Sequence, residues 1–594
     1  MKKTFTTTIL LVLFSLLVQA NSYGILVNGK TYFAGTSAGE YEGFTQYLAH
    51  VQVKSGDKLQ LCDADNDAKW AVDLNSYSVA GFTRDGDHYN ATVSGCYDFY
   101  IKLKWEADEL YIGEGSNCGS GEDYSNLYLG AVPSKCGAVL MQAFYNESYD
   151  AKSPGVSEYG DTKWKTLTPQ AAEIGSYFDY VWLPPSAYGD GAGYHPKQYS
   201  NQNSNWGTRA ELEALIGALH NAGSKVVADI VINHCAGWSN WCDFPVMDFG
   251  EYGKFQPDAS YICNTDEVNK NPDAGDCYGK ATGNADDGDN WDGARDWAHD
   301  NVYVQDMFKA YLKWMRNVMK YDGFRYDKGD GFNNWHHDNY NKAAQPEIAF
   351  MECYSGDDRI IGGIQGANYN LMALDFQTRW DAICPMAGWN YAKCAGSGLL
   401  GKGYSKYAVT FVDSHDWFLR PDNENEFGGR GNSLSKDLKG RLLGANAYIL
   451  SMPGVPCVFY PHWVKYKEEI KAMIDARKAA GVHSESAVSD EYAADGGYQV
   501  TVRGKYGWLI LQLGDRTTHS AAGDFAWLAD YKLMAKGDGY AMWVNVTDPP
   551  IYTGIEEVGS TDGSLKGQGE KFVKDGKLYI RMGEAVYDVM GRRL

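Results

Sequence analysis

The chain has 594 residues, 44% of them hydrophobic and 14% aromatic, which is enough to bury the cores of several domains. Its formal net charge of -22 argues against nucleic acids and anionic membranes as partners, because both need a basic surface. A neutral polymer tolerates an acidic protein. The 18 Trp and 43 Tyr would suit the flat faces of sugars, although most aromatic residues simply fill cores.

The first 20 residues have the pattern of a secretory signal peptide. The chain begins Met-Lys-Lys, an apolar run follows from Ile9 to Val18, and residues 18–20 read Val-Gln-Ala, a small-residue cleavage site. This run is shorter than the roughly 20 residues that a membrane-spanning helix needs. Export to the periplasm, the cell surface or the medium is therefore favoured over a membrane anchor.

Export makes the twelve cysteines candidates for disulfide bonds. Their closeness in sequence predicts the pairs Cys62–Cys96, Cys118–Cys136, Cys235–Cys242, Cys263–Cys277 and Cys384–Cys394. Cys353 and Cys457 lie in strands that look buried and are predicted to be free. A zinc site is the alternative, and the lack of tight CxxC pairs disfavours it.

Residues 21–115 alternate apolar and polar positions between Gly and Asp turns, which predicts a β-sandwich module. The module loosely resembles the small starch-binding modules that accompany some enzymes. Trp70, Trp105 and Tyr111 are then candidate sugar-stacking residues, and a place in the sandwich core is an equal alternative for each. Residues 116–136, rich in Gly, Ser and Asn, are predicted to be a linker.

Residues 137–480 contain the eight strand-like runs that a closed parallel barrel requires. These runs are Val139–Phe144, Tyr180–Leu183, Val226–Ile232, Gly323–Asp327, Ile348–Glu352, Leu371–Phe376, Tyr407–Val412 and Pro456–Tyr460. Helical patterns fall between them. One begins at a capping box formed by Thr208 and Glu211 and ends near Gly223.

Two further regions follow from composition. Residues 235–302, rich in Asp, Gly, Asn and Trp, form an insertion too long to be an ordinary loop. Residues 481–549 return to strand patterns and predict a C-terminal β domain. The tail, 550–594, resembles the sorting signals of type IX secretion in some Gram-negative bacteria. An edge-strand terminus is its alternative.

Polar, titratable residues end four of the barrel strands. The segments are 229–234 (Asp-Ile-Val-Ile-Asn-His), 323–332 (Gly-Phe-Arg-Tyr-Asp-Lys-Gly-Asp-Gly-Phe), 350–352 (Phe-Met-Glu) and 411–416 (Phe-Val-Asp-Ser-His-Asp). The carboxyl ends of barrel strands form one mouth, where the active sites of such enzymes lie. The sequence therefore predicts an enzyme site there.

In order and spacing, these segments resemble the four sequence blocks of the α-amylase family of glycoside hydrolases. The resemblance runs from about Gly137 to about Gly514. It is closest to plant-type members, through segments such as 282–284, 453–460 and 481–486. The resemblance implies a multidomain α/β protein: a (β/α)8 TIM barrel with a calcium-binding loop subdomain, an N-terminal β-sandwich module and a C-terminal antiparallel β domain.

Three carboxylates receive catalytic roles from the resemblance. Asp327 is the expected nucleophile, Glu352 the general acid and base, and Asp416 the group that stabilises the oxocarbenium-like transition state. A retaining mechanism needs the first two ~5–5.5 Å apart. Arg325 should favour the ionised form of Asp327, whereas burial should raise the pKa of Glu352 and keep it protonated.

The resemblance also implies substrate contacts and a cation. Tyr194, His234 and His415 are expected to contact the sugar at the bond cleaved, with Arg325 beside them. Asp229 is expected to support Arg325 rather than to react. The expected cofactor is Ca²⁺, because its ligands would be oxygens; they would come from Asn233, Asp296, Gly331 (by its carbonyl) and Asp266. Asp286 is a further candidate, and solvated surface acids are the alternative for Asp266 and Asp286.

Two positions depart from the family pattern. The third residue after the nucleophile is Asp330 instead of Lys or Arg, with Lys328 displaced to the neighbouring position. Ser414 stands where the family usually has Asn before the fourth-block histidine. Both departures bear on the leaving-group side of the cleft and on product size.

The expected activity is that of an exported, calcium-dependent α-amylase cleaving internal α-1,4 bonds of starch or glycogen. The expected partners are starch, glycogen and maltooligosaccharides, with no nucleic acid and no membrane span. Oligomeric state stays open, with a monomer as the expectation. A related hydrolase or transferase releasing short maltooligosaccharides is one alternative, and a non-catalytic starch-binding protein is another.

Overall fold

In the computed structural model, residues 23–588 are described apart from gaps at 29, 34–39, 42–43, 64–67, 75–77, 103–108, 115–127, 129, 146, 154, 290–293, 417–440, 519–529, 547–569, 575–576 and 583–584. The predicted signal peptide therefore lies outside the described residues. The chain divides into two compact units, one ending at Thr547 and one beginning at Asp548. The predicted domain boundaries stay predictions. Within the described part of the chain, no helix combines the length and apolar character needed to cross a bilayer.

Two antiparallel sheets form the N-terminal region. Their strands are Tyr23–Val27, Lys30–Phe33, Glu40–Tyr41, Phe44–Val53, Lys58–Asp63, Ala68–Trp70, Phe82–Asp85, His88–Ala91, Gly95–Lys102 and Glu109–Glu114. Alternate residues such as Val51, Leu61 and Phe99 are buried in one apolar cluster, as the period of two predicts. The arrangement agrees with a small sandwich.

A closed barrel of eight parallel strands confirms the central prediction. Its strands are Leu140–Gln142, Tyr180–Leu183, Lys225–Ile230, Gly323–Tyr326, Ile348–Met351, Met372–Leu374, Ala408–Phe411 and Val455–Phe459. The eighth strand pairs with the first, with Cys457 opposite Leu140. Nearly every barrel residue is buried, because helices cover a parallel sheet from outside and side chains fill it from inside.

Helices follow most of the barrel strands. They are Val156–Tyr159, Trp164–Leu167, Ala171–Gly175, Arg209–Asn221, Val302–Asn317, Trp335–Ala344, Asp357–Gly366, Phe376–Thr378, Gly398–Gly401, Leu442–Ser451, Tyr460–Lys465 and Lys467–Ala480. The capping box predicted at Thr208 and Glu211 is confirmed: each side chain bonds the other's backbone N–H at the start of Arg209–Asn221. That helix buries a single apolar face, as its spacing predicts.

The insertion after the third strand is built from short elements. They are the strands His234–Cys235, Met247–Asp248, Lys254–Phe255 and Arg295–Asp296 and the helix Glu267–Lys270. His234 pairs with Asp296 and Cys235 with Arg295, so the insertion returns to the strand end where it began. A hairpin of Tyr188–Asp190 and His195–Gln198 follows the second barrel strand.

Antiparallel sheets end the chain. Ala487–Ala494, Gly497–Arg503, Gly507–Gly514, Lys532–Gly537 and Tyr540–Val546 form a five-stranded sheet in the first unit. In the second unit, Glu570–Lys574, Lys577–Met582 and Ala585–Asp588 form a three-stranded sheet of their own.

The predicted disulfide pairing is wrong. Cys242 bonds Cys277, 35 residues away, rather than Cys235, and Cys263 is a buried thiol.

The insertion folds back on itself and brings residues far apart in sequence together, so sequence neighbours were a poor guide. The other expected pairs are wrong as well. Cys96 is in a disulfide that does not include Cys62, and Cys384 and Cys394 are not bonded to each other. Cys136 keeps its thiol, and Cys118, its expected partner, lies outside the described residues. The free thiols predicted at Cys353 and Cys457 are confirmed, and both are buried.

Candidate active site

One buried arginine organises the mouth of the barrel. Arg325, on the fourth strand, is 1% exposed. Its Nη1 lies 2.8 Å from Asp229 Oδ1 and 2.8 Å from Asp327 Oδ1, and its Nη2 lies 2.8 Å from Glu352 Oε2. These carboxylates come from the ends of the third, fourth and fifth strands. A single guanidinium thus holds the expected nucleophile and the expected acid in one cluster.

Burial makes both candidate catalytic carboxyl groups weaker acids than usual. It raises the pKa of Glu352 to about 8, with Asp327 and Asp416 adding to the rise and Arg325 opposing it. It also raises the pKa of Asp327 to about 6, although Arg325 pulls that value down. Arg325 favours the ionised form of Asp327, as expected, but burial and the neighbouring carboxylates outweigh its effect on the pKa. The order of the two pKa values is the one that the expected roles need, because Asp327 ionises before Glu352.

Asp229 supports the cluster from behind. Its Oδ1 accepts a hydrogen bond from Arg325, and its Oδ2 accepts from Trp182 Nε1 at 3.1 Å and from Tyr194 Oη at 2.9 Å. The carboxylate is fully buried, so each of these donors compensates part of its lost hydration. The expected contact between Asp229 and Arg325 is present.

His415 lies between Tyr194 and Asp416. The Tyr194 ring is parallel to its imidazole within 9°, with centroids 5.2 Å apart. Gln142 Nε2 is 2.7 Å from His415 Nδ1. Because an amide nitrogen can only donate, Nδ1 accepts, and the neutral ring carries its proton on Nε2, 3.4 Å from Asp416 Oδ1. Gln142, which the sequence did not single out, therefore sets the tautomer that faces Asp416.

Two further residues singled out in the sequence, His234 and Ser414, make hydrogen bonds near this ring. His234 Nε2 donates to the Tyr194 carbonyl at 2.9 Å, and burial lowers the pKa of His234 to about 4, which keeps the ring neutral. Ser414, the departure in the fourth block, accepts a hydrogen bond from the backbone N–H of Asp416 at 3.3 Å. The serine thus holds the loop that carries Asp416.

The departure at Asp330 belongs to an ionic network beside Glu352. Lys328 Nζ lies 2.8 Å from Asp289, and Arg359 Nη2 lies 2.9 Å from Asp330 and 3.1 Å from Asp289. The backbone N–H of Lys328 also donates to Glu352 Oε2 at 3.2 Å. The network borders a cavity of about 230 Å³. Two cations thus surround Asp330, which stands at a position where the family has a cation.

A second polar centre lies at the base of the insertion. Within the described ranges, Asn233 Oδ1, Asp286 Oδ2 and Asp296 Oδ1 are buried without a hydrogen-bond partner. A Cβ on Gly331 would lie 1.9 Å from Asn233 Oδ1, so this backbone closely approaches the amide. Ligand atoms of Asp286, Asp296 and Cys263 lie within 4.8 Å of one another.

These acidic groups could hold a metal ion. Burial and nearby carboxylates raise the pKa of Asp296 well above its usual value, which a cation would reverse. Burial raises the pKa of the Cys263 thiol as well, so the oxygen atoms are the better donors, and they suit a hard cation. Asp266 accepts the backbone N–H groups of Val268 and Asp296 instead. Its role as a ligand stays a prediction.

The candidate sugar-stacking residues of the N-terminal module differ in their surroundings. Trp70 is partly buried and packs against the sandwich core. Tyr111 is half-buried, with its ring 5.5 Å from that of Tyr100. Trp105 lies outside the described residues. Core packing is therefore the better description of Trp70, and the role of Tyr111 stays a prediction.

Comparison with known proteins gives consistent matches. A family model described as "Alpha amylase, catalytic domain" matches residues 173–352. "Probable alpha-amylase 2" of Arabidopsis thaliana is 27% identical over 405 residues, covering 64% of this chain and 90% of that protein. "Alpha-amylase type B isozyme" of Hordeum vulgare is 31% identical over 143 residues, covering 23% and 80% respectively. "Glucan 1,4-alpha-maltotetraohydrolase" of Stutzerimonas stutzeri is 28% identical over 402 residues, covering 60% and 66%.

Proposed function

Because the chain belongs to the α-amylase family of glycoside hydrolases, we propose that it hydrolyses internal α-1,4-glucosidic bonds of starch and glycogen with retention of configuration. The observation that carries this proposal is the arginine-centred cluster. Arg325 joins two carboxyl groups whose pKa values are about 6 and about 8. Between these values, Asp327 is ionised while Glu352 still holds its proton, which are the states that the first step requires.

The reaction follows in two steps. Glu352 gives its proton to the glycosidic oxygen while the Asp327 carboxylate attacks the anomeric carbon, so the leaving sugar departs neutral and a glycosyl ester forms. Glu352, now ionised, then takes a proton from water, whose oxygen displaces Asp327 from the same carbon. Each step inverts the centre, and the product is the α anomer. Asp416 stabilises the positive charge that develops on the sugar ring in both steps.

Three residues position the sugar in this proposal. Tyr194 and His415 form one stacked wall beside Asp416, and His234 fixes the Tyr194 backbone. Arg325 holds the carboxylates rather than the sugar. This preorganisation matters because donors fixed in advance need no rearrangement during the reaction.

We propose Ca²⁺ as the cation of the second centre. Asn233, Asp296 and the Gly331 carbonyl would hold it, with Asp286 adjoining and Asp266 behind Asp296. The three partnerless oxygens at Asn233, Asp286 and Asp296 support this. Calcium would supply structural support, because it would fasten the insertion to the strand ends that carry His234 and Asp327. The ion takes no part in the chemical steps.

Export and starch binding by residues 21–115 remain part of the proposal. Export rests on the pattern of the first 20 residues. Starch binding rests on the sandwich and on the loose resemblance of that module. Residues 21–115 expressed alone should be retarded in a native gel containing amylose, whereas unchanged mobility would reduce the module to a spacer.

The anomeric configuration of the first product tests the central proposal. ¹H NMR during the hydrolysis of soluble starch should show the α anomer before mutarotation, and a β anomer would refute the double displacement. Asp327→Asn should still bind starch while turnover collapses. Glu352→Gln should lose starch hydrolysis but partly spare substrates with good leaving groups, which need less protonation.

Two alternatives have distinct outcomes. Similarity to a maltotetraohydrolase favours the release of short products as the second candidate. A time course on starch would then show one short oligosaccharide from the start, instead of a mixture of oligosaccharides whose lengths decrease with time. A non-catalytic starch-binding protein would reduce iodine staining without producing reducing ends.

A further inference from the structure

The turn that follows Asp327 holds Glu352 through its backbone. Lys328 lies in the left-handed region, with a φ of 40°, which is uncommon for a residue other than glycine. Its N–H donates to Glu352 Oε2 at 3.2 Å. The next N–H, that of Gly329, donates to the Glu352 carbonyl at 2.8 Å. Two successive backbone groups thus hold the side chain and the main chain of the expected general acid.

One buried histidine holds this turn in place. His337, in the helix Trp335–Ala344, is 0% exposed, and its Nε2 lies 2.7 Å from the Gly329 carbonyl oxygen. Because a carbonyl can only accept, Nε2 carries the proton. Burial lowers the pKa of His337 to about 4, so the ring is neutral at neutral pH. The rings of Tyr326 and Phe332, with centroids 4.6 Å and 4.5 Å away, pack against the imidazole and fix its orientation.

The turn fits against the fifth strand only with glycine at position 329. A Cβ there would lie 2.5 Å from Met351 Cβ. The hydrogen bond from His337 therefore fixes a peptide that is already tightly fitted. A displacement of this peptide would be passed on to Lys328, because a left-handed residue other than glycine persists only while its surroundings hold it.

The donors around Glu352 decide which of its oxygens carries the proton. Within the described residues, both donors to its carboxyl group reach Oε2: Arg325 Nη2 at 2.8 Å and the Lys328 N–H at 3.2 Å. Neither donor can accept a hydrogen bond, so a proton on Oε2 would face other protons. The proton of the acid form therefore lies on Oε1.

Charged groups surround this carboxyl group. Burial raises its pKa most, Asp327 and Asp416 add to the rise, and Arg325 and the backbone N–H of Lys328 lower it. The Lys328 amine is attracted to the same carboxylate. Arg325 is fixed by three carboxylates, whereas the N–H keeps its place only through the turn that His337 holds. The histidine thus controls the donor that is easiest to displace.

We propose that His337 is a positioning residue for the general acid, acting through the Gly329 carbonyl to hold the Lys328 N–H against Glu352 Oε2. This inference rests on the proposed function and names the oxygen that reacts. The O–H bond at Oε1 breaks as the glycosidic oxygen takes the proton. The negative charge left on the carboxylate is stabilised at Oε2 by the two fixed donors.

The pH profile of two His337 variants tests this role. His337→Met removes the donor but keeps a side chain of similar size, whereas His337→Gln offers a side-chain N–H in its place. In His337→Met, the basic midpoint of kcat/KM should move to higher pH by about one pH unit, the effect of losing a hydrogen bond to a charged group. His337→Gln should restore most of the wild-type profile.

Two substrates separate lost proton transfer from general damage to the site. In His337→Met at neutral pH, kcat/KM for starch should fall about tenfold, a part of the roughly 10²–10⁴-fold that a general acid contributes. The value for 4-nitrophenyl α-maltotrioside should fall by about twofold or less, because a good leaving group needs little protonation.

His336→Met is the matched control. His336 is the preceding residue of the same helix and is equally buried, but its Nε2 lies 2.9 Å from Asp287 and makes no bond to the turn. This variant should also lose stability. Its basic midpoint and its ratio of activities on the two substrates should equal those of the wild type.

A second pair of variants tests the turn without changing the core. Lys328→Ala and Lys328→Val both remove the amine, and only the β-branched valine strongly disfavours a positive φ. Lys328→Val should therefore have the higher basic midpoint and the lower activity on starch of the two.

Three results would overturn the positioning role: a wild-type basic midpoint in His337→Met, an equal loss on both substrates, or identical profiles for Lys328→Ala and Lys328→Val. If His337→Met does not fold, the comparison of the two Lys328 variants decides. A wild-type protein that cleaves neither substrate would instead refute the proposed function.

Discussion

Asp327→Asn should make the protein more stable at neutral pH while abolishing turnover. Burial raises the pKa of Asp327 from 3.8 to about 6. A raised pKa in the folded state means that the carboxyl group contributes most to stability below pH 4, and this contribution is lost as the pH rises through 6. The shift of about 2 units corresponds to roughly 3 kcal/mol at most. The side chain keeps 13% exposure, so we expect about 1–2 kcal/mol after solvent screening.

The assay is the denaturation midpoint and melting temperature of both proteins at pH 7.5 and at pH 4.5. Asp327→Asn should exceed the wild type at pH 7.5, and the difference should shrink toward zero at pH 4.5. Lower stability at pH 7.5, or a difference independent of pH, would refute the reasoning. It would mean that the ion pair with Arg325 outweighs the cost of burying the charge.

Asp229→Asn is the matched control, because it removes the same charge from the same cluster. Both oxygens of Asp229 already accept hydrogen bonds, from Arg325 on one side and from Trp182 and Tyr194 on the other. An amide would turn one of these acceptors into a donor that faces either Arg325 or Trp182, neither of which can accept a hydrogen bond. It should therefore destabilise the protein by about 1–3 kcal/mol. Burial raises the pKa of Asp229 to about 6 as well, so the lost hydrogen bonds are what distinguish the two variants, and Asp229→Asn should be the less stable of the two at pH 7.5.

Three more results are expected. A plot of kcat/KM against pH should be bell-shaped, falling below about 6 as Asp327 gains a proton and above about 8 as Glu352 loses one. A profile without either limb would contradict the assigned roles. Exhaustive chelation should lower the melting temperature and the activity together, since a cation at a hundredfold excess over Kd stabilises by about 2.7 kcal/mol. Gly331→Ala should abolish that response by crowding the buried amide oxygen, and the absence of any response in the wild type would remove the calcium site. Peptide mapping without reduction should find Cys242 linked to Cys277; recovery of either as a free thiol would contradict the fold of the insertion.

The sequence predicted the barrel well because each strand is a short apolar run, and four of these runs lead into polar, titratable residues. The second strand has the predicted bounds, and the third ends at Ile230 instead of Ile232. Asn233 therefore lies in the loop after the strand, and His234 begins the short strand His234–Cys235 of the insertion. Short apolar runs of this kind indicate which residues are buried, but the backbone hydrogen bonds between neighbouring strands decide at which residue a strand ends.

Contacts across the insertion could not be predicted in the same way. Asp289 lies 39 residues before Lys328, and Cys277 lies 35 residues after Cys242. Local sequence periodicity does not indicate contacts between residues so far apart in the chain, so the sequence predicted neither the ionic network nor the disulfide. The raised pKa of Asp327 has a related cause: Arg325, which lowers this pKa, is visible in the sequence, whereas the burial that raises it is a property of the assembled mouth.

The backbone pairing of His234 with Asp296 connects the candidate active site to the candidate cation site. Asn233 precedes His234, and Trp297, which follows Asp296, donates its N–H to the Asn233 carbonyl at 3.0 Å. His234 in turn holds the Tyr194 carbonyl. A cation at Asn233 and a sugar at Tyr194 would therefore favour the same backbone arrangement. Thermodynamic linkage makes this reciprocal: calcium that tightens glucan binding by a given factor is itself held more tightly, by that factor, whenever glucan fills the cleft.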